Sequence, residues 1–297
     1  METRLLIWSI IAATGVVDAL LLLCQGMSVR VPWRTIFGGM FLVGLSLAYR
    51  RRSRYIASIS HSAAQLVVFS YAGAILTYGA MAASPFPRAD VLLSRADAAL
   101  GFSWLAWFQF VSAHPSLHML LLVAYASIPL QGLAAVGFFA YKCPRRVFEL
   151  ILSGMLSLFI CTAIMFFLPA VGAWSQHGIG LVEPWQADFL ALRAHALPVI
   201  GKPEGIVAFP SFHAALAVVF IWLARGRKWQ LPVYALNALM LVSVMTEGAH
   251  YGVDLLSGIA VAMAAIAVTE TLLKWSYSEE LRIPDDRGPR IDRNVNQ

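Results

Sequence analysis

The sequence is short of charge. Only 13% of its 297 residues are Asp, Glu, Lys or Arg, against about 25% in a soluble domain. Too few charges are present to cover a water-facing surface of this size. That excludes a soluble globular enzyme, and the scarcity of polar sequence excludes a disordered chain. Cysteine is scarce as well. Cys24, Cys143 and Cys161 stand in separate apolar stretches without CxxC spacing, so neither a disulfide framework nor a zinc site is legible. No internal repeat is visible. Hydrocarbon is abundant instead: 59% of the residues are apolar and the mean hydropathy is +0.71. The bilayer must be the solvent for most of this chain.

The net charge of +6 invites a nucleic-acid partner. The basic residues, however, fall in short clusters between long apolar runs. Anionic headgroups and membrane topology account for that pattern, and no nucleic acid is expected.

A membrane-spanning helix takes about 20 apolar residues. Eight runs approach that length, at 5–23, 35–49, 62–83, 117–140, 147–169, 211–224, 231–246 and 253–273. Each is predicted to be helical, because in lipid only helices and closed barrels satisfy every backbone group. Arg4 before the first run resembles the start of a signal peptide. That run is long, no small-x-small site closes it, and Leu23 occupies the place where a lipoprotein signal needs a small residue, so an uncleaved helix is predicted.

Placing the N-terminus inside puts sixteen of the 22 Lys and Arg residues on the inner side. These are Arg4, the cluster at 50–54, Lys142 with Arg145 and Arg146, the cluster at 225–228, and five from Lys274 onward. Six remain outside: Arg30, Arg34, Arg88, Arg95, Arg193 and Lys202. Every inner loop contributes to this positive-inside bias. The expected organisation is two N-terminal helices and a cytoplasmic loop at 1–61, a six-helix core at 62–273, and a polar cytoplasmic tail at 274–297.

Two outer segments exceed simple turns. Residues 84–116 pair Arg88 with Asp90 and Arg95 with Asp97 ahead of Trp104, Trp107, Phe108 and Phe110, which reads as a short interfacial helix with an aromatic belt. Residues 170–210 carry Trp174, His177, Glu183, Trp185, Asp188, Arg193, His195, Lys202 and Glu204. Loops of this length are usually functional.

Two motifs carry chemistry. In "GIVAFPSFHAALAVVF", Ser211 takes the N-cap position of an apolar helix and His213 lies in its first turn. Free N–H groups and the positive dipole end there suit a phosphate, although a merely capped helix with an incidental histidine gives the same letters. In "TEGAHYGVDLLSG", His250 and Asp254 are four apart. On a helix that spacing lets the carboxylate orient the imidazole. Both motifs open on the outer face, with Arg193 and Lys202 in the loop before the first. Two histidines, one carboxylate and nearby cations form a coherent phosphoryl-transfer set that requires no metal and no other cofactor.

"PSFH", followed some forty residues later by "HYGVD", resembles the type 2 phosphatidic acid phosphatase superfamily, whose helical fold is shared with vanadium haloperoxidases. That family has a PSGH-type motif, then SRxxxxxHxxxD, both preceded by KxxxxxxRP, and its membrane members have a six-helix core. The resemblance implies that His250 is the nucleophile that becomes a phosphohistidine, that Asp254 orients it, that His213 is the acid/base, and that Ser211 binds phosphate. Three positions depart from the pattern. Phe212 replaces the Gly of PSGH, Val244 replaces the Arg after Ser243, and no KxxxxxxRP is present, leaving Arg193 and then Lys202 as substitutes. These departures resemble the branch containing inositol phosphorylceramide synthases and many bacterial relatives.

Other features read more plainly. His114 and His118 have metal-ligand spacing, but Pro115 lies between them with no third ligand nearby, so interfacial histidines are the better account. Asp18 lies mid-span, where a charge is functional by default or hydrogen-bonds between helices. Glu247, three before His250, is placed to tune the site. The expected protein is an all-α polytopic membrane enzyme with about eight spans, in keeping with a bacterial inner membrane and a periplasmic site. It would act on a phosphorylated lipid as a phosphatase, or as a transferase onto a ceramide- or diacylglycerol-like alcohol. A transporter or flippase is the competing class, opposed by the gathering of polar residues at one face.

Overall fold

The computed structural model describes residues 2–179 and 184–280, with side chains from Arg4 to Lys274. The expected polar tail beyond 280 and the loop residue Glu183 lie outside the described residues. Twelve α-helices are present among those described, with a single two-residue strand pair. They are α1 (Glu2–Cys24), α2 (Trp33–Tyr49), α3 (Arg54–Ala83), α4 (Asp90–Ala99), α5 (Trp104–Ser112), α6 (Pro115–Tyr125), α7 (Ile128–Phe139), α8 (Pro144–Phe167), α9 (Pro184–Arg193), α10 (Phe212–Ala224), α11 (Gln230–Glu247) and α12 (Gly252–Glu280).

All eight expected runs lie on helices. Four helices, α1, α3, α8 and α12, are long and apolar enough to cross a membrane alone, and α6 with α7 makes a fifth if counted as one span. The protein is therefore an all-α polytopic membrane protein. Two expectations need correction. The run at 117–140 is not one helix: it bends by 45° between α6 and α7. Pro129 has no N–H to give the Tyr125 carbonyl and its ring crowds the preceding turn, which breaks the ladder there. The outer segment at 84–116 holds two short helices instead of one. Gly101 turns the chain at φ +73° and Ser103 restarts it, accepting a 3.3 Å hydrogen bond from the Ala106 N–H.

The surface is inverted relative to a soluble protein. Leu5, Leu23, Phe41, Met119, Leu130 and Met263 are exposed, while Ser153, Ser157, Asn237, Ser243 and Thr269 are buried. With lipid outside there is no hydrophobic drive between helices, so small residues and hydrogen bonds hold them together. Gly73 on α3 faces Leu158 on α8 so closely that a Cβ would lie 2.3 Å from Leu158 Cδ2. Asn237 on α11 donates to Gln131 on α7 at 2.8 Å. Asp18 is buried in α1, and its Oδ1 has no hydrogen-bond partner among the described residues.

One end of the bundle collects the basic clusters. Arg4 donates to Ser58, Tyr55 packs edge-on against Tyr141, and Arg146 donates to the Leu223 and Arg225 carbonyls. At the opposite end the long loops fold into a cap. Strand β1 (Ser28–Val29) in the α1–α2 turn pairs in parallel with β2 (Val199–Ile200). Two cores result. One lies among the helices around Ile151, Met155, Val219 and Met240. The other lies under the cap around Tyr78, Met81, Trp104, Val171, Phe189, Ile206 and Tyr251.

The seam between the cores is set by helix length. α8 has 24 residues and α10 has 13, or roughly 36 Å and 20 Å at 1.5 Å per residue. Arg146 ties their basic ends together. α10 therefore begins about 16 Å short of the far end of α8, and the cap fills the space above it. Ser211 and His213 lie at that start of α10, under the cap.

Candidate active site

Ser211 is the N-cap of α10. Its Oγ accepts from the Ala214 N–H at 3.3 Å, and its own N–H donates to the Asp254 carbonyl at 3.1 Å. The start of α10 is thereby stitched to the first turn of α12. Gly258 makes this approach feasible, because a Cβ there would lie 2.3 Å from the Ser211 carbonyl oxygen. The glycine- and alanine-rich stretch at 257–267 is thus a packing surface on the site's own scaffold.

His250 lies in the turn between α11 and α12 and is only 3% exposed. Its Nδ1 is 3.2 Å from Asp254 Oδ2, and its Nε2 is 3.3 Å from Ser211 Oγ. The same Oδ2 accepts from the Tyr251 N–H at 2.9 Å. A carboxylate beside Nδ1 selects the tautomer with the proton on Nδ1 and leaves the Nε2 lone pair facing the serine. Burial pushes the His250 imidazole down to about 4, opposed only by a hydrogen bond to the Ala208 backbone. The ring is therefore neutral near pH 7, the form that can attack an electrophile.

The turn itself is constrained. Ala249 holds φ +52°, a left-handed conformation that a non-glycine residue adopts at a cost of about 1 kcal/mol or more. Its carbonyl accepts from the Ala173 N–H in the cap at 2.8 Å. Gly248 lies beneath the imidazole, where a Cβ would come within 2.5 Å of His250 Cδ2.

His213, in the first turn of α10, stacks on Tyr125 at the end of α6, with ring centroids 4.4 Å apart and planes at 9°. His213 follows Ser211 by two residues, and Ser211 Oγ lies 3.3 Å from His250 Nε2. Tyr125 is the last residue of α6, just before the bend into α7. The Phe212 and His213 N–H groups belong to a first turn whose amides lack intrahelical acceptors. Two imidazoles, a hydroxyl and a helix N-terminus thus lie together at the start of α10. Such a set can bind an oxyanion, attack its central atom and move a proton.

The two basic candidates have other partners. Arg193, in the last turn of α9, donates to the Ser84 and Phe86 carbonyls at 2.5 and 2.6 Å. Lys202 is exposed and paired with Glu204. Neither makes a hydrogen bond or ion pair to Ser211, His213 or His250 among the described residues. The physical reason is local: the Arg193 guanidinium satisfies carbonyls at the frayed end of α3, and the Lys202 partner is two residues away. Glu247 is buried, with Oε1 3.4 Å from Nε2 of His118, while His114 Nδ1 contacts the Phe110 carbonyl at 2.7 Å. The HxxxH histidines therefore serve two different partners.

Sequence reasoning missed the supports from α4. Asp97 is 3% exposed and accepts from the Gly252 and Val253 N–H groups, both at 2.8 Å. It caps α12 from another element. Asp90 accepts from the Val171 and Gly172 N–H groups at 3.1 Å, and the Tyr251 hydroxyl lies 3.4 Å away. The expected Arg88–Asp90 pair is present at 2.9 Å, whereas Asp97 serves backbone amides. Their spacing of seven, which places both on one helix face, was the available signal. Trp104 and Trp107 also reach across, donating to the Met245 carbonyl and Thr246 Oγ at 2.6 and 2.8 Å. Trp104 is buried, stacked between Phe108 and His177.

Fold and site together define a polytopic α-helical membrane protein with a buried His250 and a half-buried His213 at the starts of α12 and α10. A family model described as the PAP2 superfamily matches residues 91–268, from α4 through most of α12, and the chain belongs to that superfamily, the type 2 phosphatidic acid phosphatases. No curated protein and no solved structure matches it. Membership makes it an enzyme of the phosphatase and phosphotransferase kind.

Proposed function

We propose that this protein is a lipid phosphatase or phosphotransferase that works through a phosphohistidine on His250. The observation that carries the reading is the relay from Asp254 through the His250 ring to Ser211, with His213 beside it. In the first half-reaction the Nε2 lone pair attacks phosphorus and the bond from phosphorus to the leaving oxygen breaks. His213 gives that oxygen a proton, and Asp254 balances the charge arising on His250. In the second, His213 takes a proton from the acceptor hydroxyl, whose oxygen attacks phosphorus and releases the histidine. Ser211 and the first-turn amides of α10 hold the phosphoryl oxygens. Arg193 and Lys202 would have to exchange their present partners to join that clamp.

The substrate in this reading is a phosphorylated lipid. Its chain stays in the bilayer while its headgroup enters the recess under the cap, framed by Trp107, Phe108 and Phe110. The basic end of the bundle faces the cytoplasm and the capped end faces the periplasm of a bacterial inner membrane. The core runs from 62 to 273, preceded by two accessory helices.

A second reading, transfer of a phospho-headgroup onto a lipid alcohol, is favoured by Phe212 and Val244, where the hydrolytic pattern has Gly and Arg. One experiment tests both. Purified protein is given a panel of phospholipids and prenyl pyrophosphates, with and without ceramide or diacylglycerol, and free phosphate and lipid products are measured. Phosphate release supports hydrolysis, and a new phospholipid supports transfer. In either case His250→Ala should abolish turnover and a folded Asp254→Asn should lose about 10²-fold or more. Full activity in His250→Ala overturns the proposal.

A further inference from the structure

The basic end of the bundle carries a feature that the histidine site does not use. Three arginines crowd there around one buried carboxylate, that of Glu149, and a fourth, Arg227, lies against Phe139 and Cys143. Arg145 Nε lies 3.1 Å from Glu149 Oε1, and Arg146 and Arg225 approach Oε2 at 3.7 and 3.2 Å. Arg227 has no carboxylate partner among the described residues. Its guanidinium rests 5.2 Å above the Phe139 ring, with Nη2 3.4 Å from Cys143 Sγ. Among the described residues a further acidic residue at this end, Glu270, accepts from Trp222 Nε1 at 3.3 Å. Among the described residues one carboxylate faces these guanidinium groups, which leaves the cluster a surplus of positive charge.

Directly beside this cluster is an apolar cavity of about 400 Å³ between α7, α10 and α11. Its walls include Phe139, Phe220, Leu223, Trp229 and Leu236, and Gln131 is its one polar lining residue among those described. Phe138, also in the wall, is 50% exposed, so the cavity opens toward the hydrocarbon. Arginines and cavity share their boundary. Arg227 lies over Phe139, and Arg146 donates to the Leu223 carbonyl. The place is distinct from the histidine site: Leu223 is ten residues along α10 from His213, roughly 15 Å.

We propose that this is a binding site for an anionic phospholipid of the leaflet opposite the histidine recess. An acyl chain fills the cavity, and the headgroup phosphate sits on Arg227 and Arg145 at the rim. Charge complementarity selects the ligand. A zwitterionic lipid could enter the same cavity, but its ammonium group would face the surplus positive charge. Basic pockets at helix ends select anionic headgroups for this reason. The inference does not depend on the reaction catalysed at His250.

Acyl-chain quenching tests it, because Trp229 lines the cavity. The full-length protein is titrated with dibrominated phosphatidylglycerol or dibrominated phosphatidylcholine, and Trp229→Phe identifies the Trp229 contribution to the fluorescence. The anionic lipid should quench that component at concentrations about 25-fold lower than the zwitterionic one, given about fivefold for each of two basic residues near the headgroup. The double variant Arg145→Gln/Arg227→Gln should lose the preference, and Ala134→Phe, which fills the cavity, should weaken quenching by both lipids. Equal quenching by the two lipids overturns the proposal, as does a preference that survives the double variant. Abolition of the preference by millimolar inorganic phosphate would mark a free-anion site instead. Absence of quenching in a protein that sediments as a dimer would mean that a second copy covers the face.

Discussion

Asp97 on α4 and Gly252 at the start of α12 are 155 residues apart in sequence and joined by a 2.8 Å hydrogen bond. The other carboxylate oxygen of Asp97 takes the next amide, that of Val253. Helix starts are usually capped by a residue of the same segment. Here the segment before α12 is the His250 turn, which is committed to the site, so the acceptor comes from the cap. Burial raises the Asp97 carboxyl above its usual range, while the two amides pull it back toward the charged form.

Asp97 is therefore a positioning residue for His250 and Asp254. Asp97→Ala should leave two buried amides without an acceptor and cost about 1–3 kcal/mol of stability. It should lower kcat more than it raises KM, because the substrate contacts remain while the nucleophile loses its aim. Asp97→Asn, which keeps one carbonyl acceptor, should recover part of both. Thermal melts and steady-state kinetics on the same preparations check this. A loss of stability with unchanged kcat would reduce Asp97 to a structural cap.

The pH dependence follows from the buried imidazole. An ordinary histidine titrates near 6.5, and burial lowers His250 to about 4. Its neutral form, which the proposed mechanism needs, thus prevails above about pH 4 and is lost as pH falls through that value. The acid limb of kcat/KM, which reports the free enzyme, should lie near 4. An acid limb near 6.5 would mean that water reaches the ring in the free protein. The profile is measured with a short-chain substrate in a constant-ionic-strength buffer series.

Gly258 gives a packing test. Its α-carbon faces the Ser211 carbonyl, and a Cβ at 2.3 Å must push the α10 N-cap away. Gly258→Ala should cost about 1–3 kcal/mol as an overpacked contact and should reduce turnover, because Ser211 Oγ and His250 Nε2 would move apart. Gly38→Ala is the control, since nothing lies within 4 Å of a Cβ there. Equal behaviour of the two variants in thermal melts and turnover would show that α10 and α12 are not pinned at this point.

Much of this was legible in the letters. Low charge and eight apolar runs announced a helical membrane protein, since lipid leaves the backbone few alternatives. Ser211 and His213 announced a helix N-terminus, and the spacing of four announced the His250–Asp254 contact, because local geometry fixes both. Arg193 and Lys202 were close to the motif in sequence, yet their hydrogen-bonding partners lie in the α3–α4 connection and at Glu204. Sequence proximity in a 41-residue cap says little about direction, since its chain turns through α9, a strand and left-handed His195.

The sequence by itself determined the solvent, the helices and the two ends of the bundle, because these depend on composition and on patterns within single segments. Only the tertiary structure decided that α10 starts partway down the bundle. The tertiary structure also decided that Asp97 and Asp90 serve the site, and that three arginines share one carboxylate at the far end. Those facts depend on which helices end side by side. That is set by length differences, close glycine contacts and hydrogen bonds between segments more than a hundred residues apart, and no local pattern encodes them.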